Sequence, residues 1–172
     1  NTLGTATVLS LGASTRMSVT GRLDVTPTGV GSDVDLYGLN GAEAGGYFAV
    51  TVGGTSNTRL RLFDAAGTQL AVGTGSLSVA ALSAAAGYYL GVSGYYNTAY
   101  NPGDGSGATN SNSTLGLGDY TLTLRYADPG VTSLDGITAT AGSGVPTQGA
   151  IASANTGQTI ALQGAGFDSA TR

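Results

Sequence analysis

Asp33 and Asp35 stand two residues apart in Asp-Val-Asp-Leu-Tyr, a run whose polar and apolar side chains alternate as on a β-strand. On a strand the two carboxylates project from one face together with Tyr37, with Cα atoms roughly 6.5–7 Å apart from the strand rise. Carboxylates so placed can share a hard cation, with loop carbonyls or further aspartates completing the oxygen shell, and calcium is the natural candidate. The alternative is a solvated pair at a strand start, hydrogen-bonded to turn amides. Asp104, in Asn-Pro-Gly-Asp-Gly-Ser-Gly, and Asp119, at the opening of a later strand, bracket a long loop and complete the set of candidate ligands. Their spacing is not that of an EF-hand, and an aspartate flanked by glycine is also what a tight turn uses.

Tyr95, Tyr96 and Tyr100 fall at the end of a strand and in the loop that follows it. There a ring offers apolar area with a hydroxyl at its tip, a surface suited to a protein fibre or a glycan. Rings in that place also serve to cap an open end of a sandwich and pin a loop. Catalysis is hard to assemble from this inventory. Histidine, cysteine and lysine are all absent, so a serine nucleophile has no usual base. Two aspartates could serve a glycosidase only across a cleft and with one pKa raised. The glycine-rich stretch lacks the lysine and helix of a phosphate-binding loop. The chain reads as a non-enzyme.

Alternation punctuated by glycine-rich turns predicts strands near 6–11, 15–24, 33–39, 47–53, 58–64, 69–72, 77–82, 87–93 and 119–126. That number suits an all-β, two-sheet antiparallel β-sandwich, jelly-roll-like, with a short C-terminal β segment. In Arg59-Leu60-Arg61-Leu62 the leucines are expected to face the core and both arginines water, and Tyr120 to Tyr126 repeats the period. Asp64-Ala65-Ala66-Gly67 closes a hairpin, with glycine taking the positive φ of the turn. One of Tyr88 and Tyr89 must face inward. The alanine-rich segment 76–86 lacks a helical stripe and is read as extended. Residues 101–118 are polar apart from Leu115 and Leu117, and are expected to form a long exposed loop, mobile unless tied down.

At 172 residues the chain is long enough for one sandwich and a small second element. Its basic residues are six arginines against ten acidic residues, a net charge of −4, which leaves no basic face for nucleic acid. With 9% charged residues, little repulsion opposes self-association through strand edges. Without cysteine there is neither a disulfide nor a thiolate metal site. No apolar run reaches the roughly 20 residues of a membrane span, and the first residues do not form a signal peptide.

The block from Gly87 to Leu124, including Gly-Tyr-Tyr-Leu-Gly-Val-Ser-Gly-Tyr-Tyr and Gly-Asp-Tyr-Thr-Leu-Thr-Leu, completes a pattern begun by Asp33-Val34-Asp35-Leu36-Tyr37 and Thr58 to Asp64. Together these residues resemble the bacterial pre-peptidase C-terminal domain, a small secreted β-sandwich, and the likeness covers residues 1–128. After Asp128-Pro129-Gly130, the run Gly157 to Phe167 resembles the opening of an immunoglobulin-like domain of the IPT/TIG type. Residues 129–172 are therefore expected to be a linker and an incomplete IPT/TIG-like β segment of a larger polypeptide, with edges covered by another chain or by the first domain. Clostridial collagen-binding domains, similar to this family, bind calcium near the equivalent strand opening with ligands from an acidic N-terminal linker. Asn1 to Leu11 holds no carboxylate, a departure from that pattern. The resemblance implies a non-catalytic extracellular or cell-surface module, structural or adhesive, whose partners are neighbouring copies or domains of a filament, sheath or adhesin. The alternative it implies is an accessory domain of a secreted hydrolase that holds a protein fibre or glycan.

Overall fold

The structure, a computed structural model, describes residues 1–25, 32–55, 57–108, 113–129, 133–140 and 159–165, the last two stretches as backbone only. The chain divides into two compact units, Asn1–Pro129 and Gly130–Arg172. After a short 3-10 turn at Leu3–Thr5, the first unit contains β1 (Thr7–Ser10), β2 (Ser14–Leu23), β3 (Val34–Asn40), β4 (Tyr47–Gly53), β5 (Arg59–Asp64), β6 (Gln69–Thr74), β7 (Ser76–Val79), β8 (Tyr88–Ser93) and β9 (Gly118–Ala127). All nine expected strands are present. The strand expected over 77–82 ends early, because Leu82 leaves the ladder to exchange backbone hydrogen bonds with the turn at Gly45 and Gly46.

The nine strands form one hydrogen-bonded series, β1-β3-β8-β5-β6-β7-β4-β9-β2, folded back on itself. The fold-back lies between β6 and β7, where pairing shrinks to the single couple Thr74 and Ser76 around Gly75, whose φ of +69° suits glycine. Strands β1, β3, β8, β5 and β6 make one layer; β7, β4, β9 and β2 make the other. Among the described strands pairing is antiparallel, as expected for the sandwich, except at one edge, where β1 runs parallel to β3. The main core fills the space between the layers. It takes Tyr37, Leu60, Leu62, Leu90 and Val92 from the first layer and Phe48, Val50, Tyr120, Leu122 and Leu124 from the second. Period-2 alternation delivers these side chains to one face of each strand, and burial of each large one stabilises the fold by about 1.5–3 kcal/mol.

The first layer is covered on its outer face as well. Val34, Leu36, Phe63 and Tyr100 form a second buried cluster there, roofed by the loop that leaves β8. Arg61 belongs to this face, and the expectation that it points to water is corrected: it is 5% exposed. Its guanidinium lies 5.0 Å from the Phe63 ring centroid and 5.7 Å from that of Tyr100, and donates to the carbonyls of Thr98 and Tyr100 at 3.2 and 3.0 Å. A planar, weakly hydrated cation can be buried between rings and carbonyls where an ammonium would stay in water. Burial, and then the neighbouring Arg59, lower its pKa.

The same clamp orders part of the tract expected to be loose. Asn101 and Ser106 close a turn, Pro102 accepts from the Leu3 amide at 2.8 Å, and Tyr95 donates to the Leu115 carbonyl at 3.1 Å. The Asp64–Gly67 turn forms as expected, with Asp64 Oδ1 accepting from the amides of Ala66 and Thr68. In the second unit, β10 (Ser133–Thr140) and β11 (Thr159–Ala165) pair antiparallel, with a register shift between Leu134 and Gly136.

Replacing Arg61 with lysine removes the planar fork and both ring contacts while keeping the charge. The expected outcome is a loss of about 1–2 kcal/mol in unfolding free energy and faster amide exchange over residues 97–103. A variant with unchanged melting and exchange would show that the Tyr100 ring alone holds the loop.

Candidate functional site

The end of the sandwich where β3 begins and β9 opens gathers most of the acidic side chains singled out in the sequence. Asp35, second residue of β3, turns its carboxylate toward the other layer and accepts from the Tyr120 hydroxyl of β9 at 2.6 Å. Tyr120 also lies 2.6 Å from the Tyr37 hydroxyl. Because the one Tyr120 hydrogen goes to Asp35, Tyr37 must donate to Tyr120, giving a directed chain Tyr37, Tyr120, Asp35 across the core. Close packing allows it: at Gly21 of β2 any Cβ would collide with the Tyr120 ring.

Asp35 Oδ1 faces the Asn1 side-chain amide at 3.4 Å, while that amide donates more closely to the Val34 carbonyl at 2.6 Å. Burial raises the Asp35 pKa above the ordinary 3.8; the Tyr120 hydrogen bond opposes this and nearby Asp33 adds to it. The Tyr120 pKa is strongly raised, by burial first and then by its bonds to Asp35 and Tyr37. Tyr37 is also raised by burial. The carboxylate thus serves as an acceptor inside the sandwich and is not poised as a free base.

The other candidate ligands are engaged separately. Asp33 lies just before β3, where its Oδ2 accepts from the Asp24 amide at 2.8 Å. Asp119 pairs with Arg22 at 2.9 Å, and Arg22 also holds Asp24 at 2.7 Å. These exposed ion pairs add little stability. Asp104 sits in the loop, with its Oδ1 accepting from the Ser106 amide at 2.8 Å in an Asx turn; hydrogen bonding to the Ser106 side chain first, and then to that amide, lowers its pKa. Among the described residues no three acidic side chains come together as a metal site. A second polar tie stands at another turn: Tyr126 of β9 accepts from the Glu43 amide at 2.8 Å and donates to Asp128 at 2.7 Å. Burial and that donation push its pKa up to about 12.

The three tyrosines proposed for ligand binding do not form one surface. Tyr100 is 4% exposed, because its ring roofs the second cluster; this corrects its assignment to a ligand surface. Tyr95 and Tyr96 remain exposed, edge to face at 5.0 Å between centroids, with the Arg59 guanidinium 5.8 Å from the Tyr95 ring. Tyr88 is the inward tyrosine and Tyr89 the outer one. Two participants gave little sign in the sequence. Arg61 mimics an outward residue by alternation, and the pairing of Tyr120 with Asp35 joins positions 85 residues apart. The alternation that placed Asp35 and Tyr37 on one face was the available signal.

No protein-family model matches the chain, and no curated protein matches it. Its structure is similar to that of a periplasmic inhibitor of g-type lysozyme from Aeromonas hydrophila. That likeness has 19% identity and a TM-score of 0.43, covering 70% of this chain and 96% of the inhibitor. It is also similar to the pre-peptidase C-terminal domain of a collagenase from Bacillus anthracis. Here identity is 16% and the TM-score 0.39, over 69% of this chain and 93% of that domain. Neither likeness bears on what this chain does; its all-β architecture stands on the strand pairing described above. No helix among the described residues is long and apolar enough to cross a membrane.

The shifted groups fix the pH response. For Tyr37, Tyr120 and Tyr126 the folded pKa exceeds the unfolded value of 10.0, so their contribution is fully present below pH 10.0 and is lost as pH rises beyond it. Absorbance titration should show these three tyrosines ionising above the ordinary 10.0, with unfolding free energy falling above pH 10.0. Asp35, also raised, obeys the same sign in a lower pH window. Its raised pKa makes the charged form a cost, so stability increases as pH falls through the folded pKa toward 3.8. Asp35→Asn should accordingly melt no lower than the parent at pH 7, whereas Tyr120→Phe should lose about 1–3 kcal/mol by stranding its partners. Equal losses in both variants would contradict this ordering.

Proposed function

We propose that the chain is a non-catalytic extracellular module that works by assembly, adding a strand from its second unit to the first unit of a neighbouring copy. The observation that carries this reading is β2. It is ten residues long, stands at the end of the strand series, and pairs only with β9 among the described residues. A long edge with unpaired amides and carbonyls is a template for another strand. The opposite edge, β1, has four residues. The second unit supplies a donor of matching kind, since among the described residues β10 and β11 pair only with each other and each keeps an outer edge. Two strands alone are marginal in water and gain from further pairing. In β11 the alternation of Ile160 and Leu162 with polar or small neighbours would set the register. The low charge of the chain leaves this contact unopposed. Such a head-to-tail contact generates a filament or sheath where its rotation does not close into a ring.

A second reading, an accessory domain that holds a fibre or glycan, is favoured by the exposed Tyr95 and Tyr96 pair beside Arg59. Replacing both tyrosines with alanine should then abolish ligand capture while melting stays unchanged.

Assembly is tested by comparing the full chain with one ending at Pro129, which retains all nine strands and the described core. Light scattering should show concentration-dependent association of the full chain, a folded monomer after truncation, and slowed amide exchange along Ser14–Leu23 only in the assembly. A truncated chain that assembles equally well, or a monomeric full chain with freely exchanging β2 amides, would refute the proposal.

A further inference from the structure

The outer face of the first layer is roofed over its middle by the loop carrying Tyr100, but that cover stops short of one end. There a groove of about 510 Å³ remains, bounded by the Leu3–Thr5 turn and Val8 on one side, Ala86 and Gly87 on the other, and Asn40 to Ala42 at its end. Its size falls within the usual range for small-molecule sites. Glycines shape it. On the floor, a Cβ at Gly38 would meet Tyr89 Cε1 at 3.5 Å, and one at Gly87 would meet Tyr89 Cε2 at 3.9 Å. The Tyr89 ring lies half-buried beside both glycines, at ordinary contact distance from where their side chains would begin.

We infer that this groove binds a short stretch of a neutral glycan, with a sugar ring against Tyr89 and its hydroxyls on the Asn40 amide and the main-chain groups of the glycine turns. Three observations converge. No lining residue carries a charge, so a charged ligand would be desolvated there without a partner. The lining alternates apolar surface, from Leu3, Val8 and Tyr89, with open backbone at Gly4, Gly41 and Gly87, which matches a ligand that has C–H faces and hydroxyl edges. Asn40, at the end of β3, is exposed and offers both donor and acceptor to vicinal hydroxyls. The exposure of Val8, at 65%, marks an apolar rim that no described residue covers. The site shares no residue with β2 or with the Tyr95 and Tyr96 pair, so it stands whether or not the chain assembles by strand addition.

The test is an amide chemical-shift titration of the labelled full chain with maltotetraose, cellotetraose and chitotetraose tetraacetate as neutral probes, and with trigalacturonate as the anionic one. At least one neutral probe should shift the amides of Gly38, Gly41 and Gly87, while trigalacturonate should not. Tyr89→Ala and Asn40→Ala should each weaken binding roughly tenfold, a change of about 1.4 kcal/mol. Gly4→Trp provides a variant that leaves the sheet intact: a Cβ there meets nothing within 4 Å, and the indole narrows the groove from its rim. It should block binding with melting unchanged. No shift with any neutral probe at millimolar concentration would overturn the inference, as would equal binding of trigalacturonate. Shifts produced by raising the protein concentration alone, and lost in Tyr89→Ala, would assign the groove to a second copy of the chain.

Discussion

Burial of the first layer on both of its faces is the constraint from which the rest of the first unit follows. Leu60 and Leu62 of β5 and Leu90 and Val92 of β8 enter the main core, while Arg61 and Phe63 are buried beneath the loop that leaves β8. A loop can cover a sheet only if its backbone polar groups find partners, and Arg61 supplies them by donating to two loop carbonyls from a flat cation that tolerates aromatic neighbours. Once the loop is fixed, Tyr100 roofs the second cluster, Pro102 receives the amide of Leu3, and the N-terminal turn is placed beside β3. The walls of the open groove are thus set by a buried arginine some distance from it.

The two layers are tied by polar as well as apolar contacts, and the polar ones carry a cost. Desolvation disfavours the Asp35 carboxylate, yet the hydroxyl chain from Tyr37 through Tyr120 ends on it. Such a chain fixes the relative register of β3 and β9, since a shift of one residue would turn Tyr120 to the other face and leave three polar groups without partners. Its position at the sandwich end, next to the exposed pairs of Arg22 with Asp24 and Asp119, keeps most of the remaining charge in water. Carboxylates that could have been gathered round a cation are distributed among amides, hydroxyls and a guanidinium.

Edges and faces divide the possible work of the molecule. The fold-back at Gly75 uses up the middle of the strand series and leaves two ends, one short and parallel, one long and antiparallel. Backbone hydrogen-bonding capacity is therefore concentrated at β2, whereas the groove over Tyr89 lies on the opposite layer. A chain with so few charges can use either without strong electrostatic steering, and affinity at both would come from hydrogen bonds and apolar area.

Strand positions were legible in the sequence because alternation and glycine turns are local signals, and each strand needs only its own period to be recognised. The aspartate turns at Asp64 and Asp104 and the placement of Asp35 and Tyr37 on one face were local in the same sense. Alternation tells two faces apart but cannot say that both are covered, so Arg61 and Tyr100 were read as surface residues and their true surroundings waited on a loop about 40 residues away. The parallel pairing of β1, the Tyr120 partner of Asp35 and the groove over Tyr89 likewise depend on which strands become neighbours. Neighbours are chosen by closure of the whole core, and no single stretch of sequence encodes that choice.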